Sequence, residues 1–245
     1  MPRFFAEKGN VLEEKGLILI EGDDARHIAR SLRMASGESV TVCDGEGTDY
    51  SCVLGRIRDE LVEARIVSSS ASVAEPPYGI TICQALVKGD KMDTVIQKSV
   101  ECGASRILPF ESSRCIMKLK DSAESRLARW NRISSEAAKQ CGRGRLPEVC
   151  APVRFGDLAG CVSGCDLKLF CYEDEYGTTL GSVLRGSPLP KSVCVAVGPE
   201  GGFSPEEAKA ASDAGFVSVS LGARILRTES AAPFVLAALC TFYEQ

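Results

Sequence analysis

Histidine is almost absent from this chain, since His27 is the only one among 245 residues. The twelve cysteines are scattered, no two of them form a C-x-x-C motif, and the closest pair is Cys161 and Cys165. A zinc finger or a catalytic cysteine–histidine pair would need the one histidine beside the right thiols. Several cysteines, such as Cys83 and Cys194, lie inside apolar runs, where a thiol acts as a small hydrophobe. We therefore expect reduced, structural cysteines and no metal site.

Long apolar runs are also absent, because no run approaches the roughly 20 residues that cross a bilayer. The start, MPRFFAEK, lacks the charged-then-apolar order of a signal peptide. We therefore expect a cytosolic protein with no membrane partner. The net charge of −4 argues against a protein that coats polyanions, although a local basic face would still allow RNA binding.

The chain changes character near residue 70. Before it, short strand-like runs alternate with turn residues, and one helical insert is predicted over 23–34. The predicted strands are 17–20, 39–43, 50–57 and 61–67. This pattern predicts a small β-barrel over residues 1–70. The serines from residue 68 and the prolines that follow predict a linker, which we place at 71–77.

Strand-like and helix-like segments alternate from residue 78 to residue 245. The predicted strands are 80–87, 106–110, 167–172, 193–197 and 216–221, and the predicted helices include 91–102, 122–141 and 231–243. This alternation predicts a mostly parallel sheet with helices on both faces. In such sheets, ligands bind beyond the carboxyl ends of the strands.

Two glycine loops follow neighbouring predicted strands at 198–202 and 221–229. The first loop is GPEGG and the second is LGARILRTE. Neither matches the phosphate-binding patterns G-x-x-x-x-G-K-[ST] and G-x-G-x-x-G, and Glu200 would repel a phosphate. The loops predict a ligand pocket walled largely by backbone groups. Each loop also has an explanation that needs no ligand. The first would be a tight strand-to-helix turn, and the second would be the start of a capped helix with solvent-facing arginines.

Residues after the first loop are explained by helix capping alone. Ser204, Pro205 and Glu207 are typical of a helix start with a capping box. We therefore assign these three residues no chemistry. In the second loop, Thr228 is predicted to cap the last helix in the same way.

The two loops carry a family resemblance. GPEGGFSPEE and LGARILRTESAAP resemble the paired motifs of the SPOUT methyltransferases. They are most similar to the family that methylates N3 of a uridine in 16S ribosomal RNA of the small ribosomal subunit. The segments PRFF, HIARSLRMASGE, ALVKGDKMDTVIQKSVECG and RWNRISSEAAKQCGR also resemble that family's blocks, in the same order. Cys102 and Ser230 depart from it at positions where leucine and threonine are commoner.

The resemblance implies a fold class, a cofactor and an assembly. The fold class is α/β, with a C-terminal parallel-sheet domain that forms a deep trefoil knot, preceded by a small β-barrel similar to PUA domains. The cofactor is S-adenosylmethionine, and the assembly is a homodimer whose interface completes each active site. The implied cofactor-binding residues are Leu169, Tyr172, Gly198, Pro199, Glu200, Gly201, Gly202, Leu221, Gly222, Ile225, Leu226 and Arg227.

Methylation at uracil N3 requires removal of the N3 proton or stabilisation of the uracil anion. We expect Arg227 to pair with a uracil oxygen and favour the anion. Glu229 or a group of the partner subunit would accept the proton. Candidate phosphate contacts to the RNA are Arg3, Arg26, Arg30, Arg33, Lys88, Lys91, Lys98, Arg143 and Arg145.

Two other functions remain open from the sequence. One is a different SPOUT enzyme that methylates a ribose 2′-oxygen or a transfer-RNA guanine. The N-terminal barrel and the LGARILRTES form of the last loop argue against it. The other is a non-catalytic RNA-binding assembly factor, against which the intact loop glycines and Arg227 argue.

Overall fold

A computed structural model describes residues 1–118 and 123–245 of the chain. The chain forms two compact units. The first consists of Met1–Glu75 and Ala138–Leu146, and the second of Pro76–Ala137 and Pro147–Gln245. Within the described ranges, none of the helices combines the length and the apolar character that crossing a lipid bilayer requires.

The first unit is built on a six-stranded sheet. Its strands are β1 (Arg3–Phe5), β2 (Val11–Leu12), β3 (Leu17–Glu21), β4 (Ser39–Cys43), β5 (Thr48–Ile57) and β6 (Leu61–Ala71). They pair in the order β1-β4-β5-β6-β3-β2, and only β1 and β4 run parallel. Alternate residues are buried, as with Ile18 and Ile20 in β3. This period of two places one face of each strand in the apolar core.

The helical insert of the first unit is shorter than predicted. Helix α1 (Gly22–Arg26) continues as a single π-helical turn at His27–Ser31. The backbone then turns at Arg33, which has a φ of 51°. Ile28 is fully buried and fixes the insert against the core of the sheet. The predicted helix over 23–34 therefore ends early.

β6 continues through serines that have the composition of a linker. Ser68 pairs with Ser51 and Ala71 pairs with Thr48, so the long strand β5 supplies backbone partners along this stretch. The two compact units divide between Glu75 and Pro76. The serines are polar because this part of β6 is exposed to solvent, although it is paired with β5. Ala71 is the last residue of β6 and therefore does not belong to the predicted linker.

A segment from much later in the chain, residues 138–146, also belongs to the first unit. The Glu75 carboxylate accepts hydrogen bonds from Arg143 Nη2 at 2.6 Å and from Arg143 Nε at 3.3 Å. It also accepts from the backbone N–H groups of Gly144 and Arg145, at 3.1 and 3.0 Å. The side chains of Arg143 and Glu75 are only 3% and 13% exposed. This ion pair anchors the returning segment.

Two further contacts hold the same segment. Arg3 Nη1 donates to Asp49 Oδ1 at 2.8 Å and to the Arg143 carbonyl oxygen at 3.2 Å. The backbone of Gly144 lies so close to Ser72 that a Cβ at this position would overlap the serine side chain. Glycine is therefore required there by the close approach of the two segments.

The Glu75 ion pair predicts a pH dependence of stability. Burial opposes ionisation of Glu75, but its hydrogen bonds from Arg143 and from the two backbone N–H groups hold its pKa below the usual value. A carboxyl group whose pKa is lowered on folding stabilises the protein above its unfolded pKa of about 4.3. That stabilisation is lost as the pH falls through the folded pKa. In urea unfolding, we expect the stability difference between the native protein and Glu75→Gln to be full at pH 7 and to shrink steadily below about pH 4.3. A difference that is constant across this range would contradict the prediction.

The second unit is built on a seven-stranded parallel sheet. Its strands are β7 (Gly79–Ala85), β8 (Arg106–Glu111), β9 (Glu148–Val149), β10 (Val153–Arg154), β11 (Leu167–Cys171), β12 (Ser192–Val197) and β13 (Val217–Val219). Six of them follow the order β10-β8-β7-β12-β11-β13, and β9 pairs with β8. The central strands β7 and β12 are buried along nearly their whole length. Burial on both faces explains their continuous apolar sequences.

Helices connect these strands. They are α2 (Lys91–Glu101), α3 (Ala123–Cys141), α4 (Phe155–Cys161), α5 (Leu180–Gly186), α6 (Pro205–Asp213) and α7 (Thr228–Tyr243). Ser122, the predicted first residue of α3, lies outside the described residues. The predicted capping box of α6 is confirmed, because Ser204 Oγ accepts from the Glu207 N–H at 3.2 Å and Glu207 Oε2 accepts from the Ser204 N–H at 3.0 Å.

Candidate functional site

A cavity of about 570 Å³ lies at the carboxyl ends of three adjacent parallel strands, β12, β11 and β13. Both glycine loops line it, as the sequence predicts. Every predicted cofactor-binding residue except Leu169 contributes to its wall, and so does Glu229. The motifs therefore locate the cavity, although they do not by themselves identify what it binds.

Leu169 is the exception, and its predicted place in the cavity wall needs correction. It is fully buried in the middle of β11, between neighbouring strands on both sides. Residues nearer the end of the strand, Cys171, Tyr172 and Glu173, form the third wall instead. The strand end is the only part of β11 that reaches the ligand edge of the sheet, so the prediction was two residues too early.

An aromatic cluster in the core anchors the end of the GPEGG loop. Phe203 follows the loop directly, is 1% exposed, and stacks on Phe170 with ring centroids 4.0 Å apart. Within the loop, Gly202 has a φ of 66°, in the left-handed region that favours glycine. A Cβ there would also overlap the Glu173 carboxylate. The loop backbone is therefore held close to the third wall.

A buried polar chain joins the two glycine loops. Gln84 Nε2, at the end of β7, donates to Thr228 Oγ1 at 2.9 Å. Thr228 Oγ1 donates in turn to the Gly198 carbonyl oxygen at 2.6 Å. The predicted capping role of Thr228 is wrong, because Arg227 holds the cap position of α7 and makes no side-chain cap. The Thr228 hydroxyl instead fixes the second loop against the first.

Removing this hydroxyl should destabilise the second unit. Thr228→Val keeps the branched shape, but it takes the hydroxyl away from the part-buried Gly198 carbonyl oxygen and leaves the buried Gln84 Nε2 with only the Ala85 carbonyl oxygen as an acceptor. Each unsatisfied buried group costs about 1–3 kcal/mol, so we expect a loss of that size in the free energy of unfolding, measured in urea. Thr228→Ser restores the hydroxyl and should recover most of it. Equal stability of the valine and serine variants would show that the polar chain contributes nothing.

Three charged groups from different elements meet at the cavity wall. Lys91 Nζ lies 3.0 Å from Glu200 Oε1 and 3.9 Å from Glu229 Oε2. Burial disfavours the Glu200 carboxylate, but hydrogen bonds from backbone N–H groups and from Lys91 hold the pKa of Glu200 below its usual value. Glu229 Oε2 is buried and has no hydrogen-bond partner among the described residues. The wall thus contains a carboxylate oxygen that is able to accept a proton or a hydrogen bond.

The second loop presents Arg224 and Arg227 on the cavity wall, both exposed. Within residues 1–118 and 123–245, neither guanidinium group has a hydrogen-bond or ion-pair partner. An unpaired guanidinium beside a cavity can pair with a negative group of a ligand. The expected catalytic pair, Arg227 and Glu229, is therefore brought to one site.

The predicted RNA contacts fall into different environments. Arg143 is buried against Glu75, and Arg3 is held by Asp49, so both guanidinium groups are used inside the first unit. Lys91 lies in the cavity wall. Arg143 and Arg3 correct the predicted basic face, because composition does not distinguish an arginine that is paired internally from one that is exposed, whereas the RNA contact of Lys91 stays a prediction.

The remaining RNA candidates lie nearer to solvent. Arg33, Lys88 and Arg145 are exposed. The others are paired with neighbouring carboxylates at the surface: Arg26 with Asp23 and Glu60, Arg30 with Asp59, and Lys98 with Glu101. Exposed ion pairs of this kind contribute little to stability, so phosphate groups could replace them.

Two family models match the chain. One describes an RNA methyltransferase domain and matches residues 74–240, and the other describes an RNA methyltransferase PUA domain and matches residues 20–67. The ribosomal RNA small subunit methyltransferase E of Bacillus subtilis is 30% identical over 245 residues, which cover 98% of this chain and 96% of that protein. The chain belongs to the ribosomal RNA small subunit methyltransferase E family. The predicted α/β fold with a preceding PUA-like domain is confirmed, whereas the trefoil knot stays a prediction.

Other members of the methyltransferase E family agree with this placement. The Synechocystis protein of the same name is 34% identical and covers 89% of this chain and 71% of its own length. A crystal structure of the family member from Neisseria gonorrhoeae, bound to S-adenosyl methionine, has a TM-score of 0.89 at 33% identity. It covers 99% of this chain and 98% of its own. The family's fold thus extends over both units.

Proposed function

We propose that this chain is an S-adenosylmethionine-dependent methyltransferase that methylates N3 of a uridine in 16S ribosomal RNA of the small ribosomal subunit. The observation that carries the proposal is the cavity at the strand ends, where Arg227 and Glu229 share a wall with both glycine loops. Membership of the methyltransferase E family supports it, and the Neisseria relative is crystallised with S-adenosyl methionine.

The cavity fits this cofactor in size and chemistry. Its volume of about 570 Å³ lies within the usual range for small-molecule sites, about 300–1,000 Å³. Apolar side chains such as Leu221 and Leu226 alternate with loop backbone groups along its wall. Glu173, Glu200 and Glu229 place three carboxylates there, which suits a ligand with a positively charged sulfur and an ammonium group. Glu229 Oε2, which accepts no hydrogen bond within the described ranges, also leaves an acceptor for a ligand.

Two residues of this chain would then stabilise the developing negative charge and accept the N3 proton. When bound, S-adenosylmethionine supplies a methyl group on a sulfonium. Arg227 donates to a uracil carbonyl oxygen and stabilises the negative charge that develops as the N3 proton leaves. Glu229 Oε2 accepts that proton, because it is buried at the site and has no competing hydrogen bond among the described residues.

We also propose a homodimer in the cytosol. Exposed apolar side chains support the dimer: Ile225 on the second loop is 82% exposed, and Phe234 and Phe242 on α7 are 42% and 43% exposed. A second copy of the chain would cover this apolar surface. A cytosolic location fits a substrate within the small ribosomal subunit.

The direct test uses small subunits that lack the modification. We expect incubation with methyl-labelled S-adenosylmethionine, followed by nucleoside mapping, to place the label on uracil N3 of 16S ribosomal RNA. Label on a ribose 2′-oxygen or on a transfer-RNA guanine would indicate a different SPOUT activity. Binding of the RNA without transfer of label would indicate an assembly factor.

A further inference from the structure

We propose that Lys91 is a specificity-determining residue, which together with Glu229 recognises the hydrogen-bonding edge of the target uracil and rejects cytosine. The inference rests on the proposed function, because it concerns the base that enters the same cavity. It replaces the predicted role of Lys91 as a phosphate contact. On the uracil, the partner groups are the N3–H for Glu229 and the C4 carbonyl oxygen for Lys91.

Lys91 lies in the cavity wall and is half-buried. It is the first residue of α2, and its side chain lines the cavity together with Arg227 and Glu229. Glu200 holds the ammonium group at 3.0 Å. A lysine ammonium has three donors, so this pairing leaves two of them for a ligand. Glu200 thus fixes the direction of Lys91 without using up its hydrogen bonds.

The neighbouring carboxylate provides the complementary acceptor. Glu229 Oε2 lies 3.9 Å from Lys91 Nζ, is buried, and has no hydrogen-bond partner among the described residues. A buried polar atom without a partner is costly unless a ligand satisfies it. Lys91 and Glu229 therefore offer a donor and an acceptor side by side on one wall.

Uracil matches this pair and cytosine does not. Uracil N3–H is a donor flanked by two carbonyl acceptors, and a carboxylate oxygen accepts such a proton at about 2.9 Å. The C4 carbonyl oxygen, next to N3, then lies within reach of an ammonium group 3.9 Å from that carboxylate oxygen. Cytosine reverses both groups, since its N3 is an acceptor and its exocyclic amine is a donor. Polar groups left unpaired by the wrong ligand are the strongest source of discrimination in a closed site.

The test compares Lys91→Met with the native full-length protein. The substrates are two RNAs with the sequence of the target region, one carrying uridine and the other cytidine at the modified position. We expect Lys91→Met to lower the single-turnover methylation rate of the uridine RNA about 10- to 100-fold, the loss of one charged hydrogen bond. We also expect it to abolish the preference for uridine over cytidine in competition binding. Lys91→Arg, which keeps a charged donor, should retain part of that preference.

Further measurements separate this role from a structural or electrostatic one. Affinity for S-adenosylmethionine should stay within about twofold, and the salt dependence of RNA binding should not flatten by the one unit expected when a phosphate contact is lost. Lys209→Met is the matched control, because Lys209 is exposed on α6 and, among the residues that the structure describes, pairs only with Asp213. It should behave as the native protein does.

The outcomes are distinct. An unchanged uridine-to-cytidine ratio in Lys91→Met overturns the inference, as does a loss of cofactor affinity or a flatter salt dependence. If the native protein transfers no methyl group to the uridine RNA or to small subunits, the proposed function itself fails. A collapse of the ratio with cofactor affinity intact supports Lys91 as the residue that selects uracil.

Discussion

Replacing Arg227 by alanine should lower the rate of methyl transfer by a factor on the order of 10²–10³, which is typical for loss of one group that stabilises developing negative charge. Arg227 is exposed on the cavity wall and, within the described residues, has no internal partner, so its guanidinium is available to a ligand. The measurement is single-turnover kinetics at saturating S-adenosylmethionine, with cofactor affinity determined separately by calorimetry. We expect the rate to fall much more than the affinity.

Two companion variants show whether charge or shape matters. Arg227→Lys keeps the positive charge but loses the planar fork of donors, so its rate should lie between those of the alanine variant and the native protein. Arg185→Ala removes an exposed arginine of α5, away from the cavity wall, and should leave the rate unchanged. Near-normal turnover of Arg227→Ala with intact cofactor affinity would remove Arg227 from the mechanism.

Replacing Arg143 by methionine should lower the free energy of unfolding by about 3–5 kcal/mol, because removing one partner of a buried ion pair leaves the other charge uncompensated. The Glu75 carboxylate would keep its two backbone N–H donors but lose the guanidinium that lies at 2.6 Å. Urea unfolding measures the total loss, and amide hydrogen exchange within the first unit shows where it arises.

Arg145 gives a matched control for Arg143. Its side chain is exposed two residues further along the chain, and only its backbone N–H bonds to Glu75. Arg145→Met should therefore change stability by no more than about 0.5 kcal/mol, as surface substitutions usually do. If the two variants lose the same stability, the buried ion pair does not anchor the returning segment.

Local patterns predicted most of the second unit. Continuous apolar runs identify its central strands, because those strands are buried on both faces. The short strands β9 and β10 were not predicted, since two residues each carry no periodic signal and depend on pairing with β8. In the first unit, the sequence does not predict the end of β6, because the exposed serines there have the composition of a loop. Their structure comes from pairing with β5, which no local pattern records.

In the candidate site too, local patterns predict some features, and others depend on contacts between residues far apart in the sequence. Glycine motifs located the cavity, because a backbone wall at the end of parallel strands needs those residues in that order. The local sequence predicts a helix cap for Thr228, the commonest local role of a threonine at a helix start, whereas its hydroxyl bonds to Gly198, thirty positions earlier. The sequence predicts surface cations at Lys91 and Arg143, yet Lys91 pairs with Glu200 and Arg143 pairs with Glu75. Such long-range partners are set by the fold.

The returning segment has a consequence for protein synthesis. N-terminal units generally fold first as a chain leaves the ribosome. A nascent chain that ends at residue 137 already contains all six strands of the first sheet, but Glu75 and Arg3 still lack the segment that carries Arg143. The first unit gains its last contacts only when residue 146 has emerged. By then, strands β7 and β8 of the second unit have already been synthesised, so the folding of the two units overlaps in time.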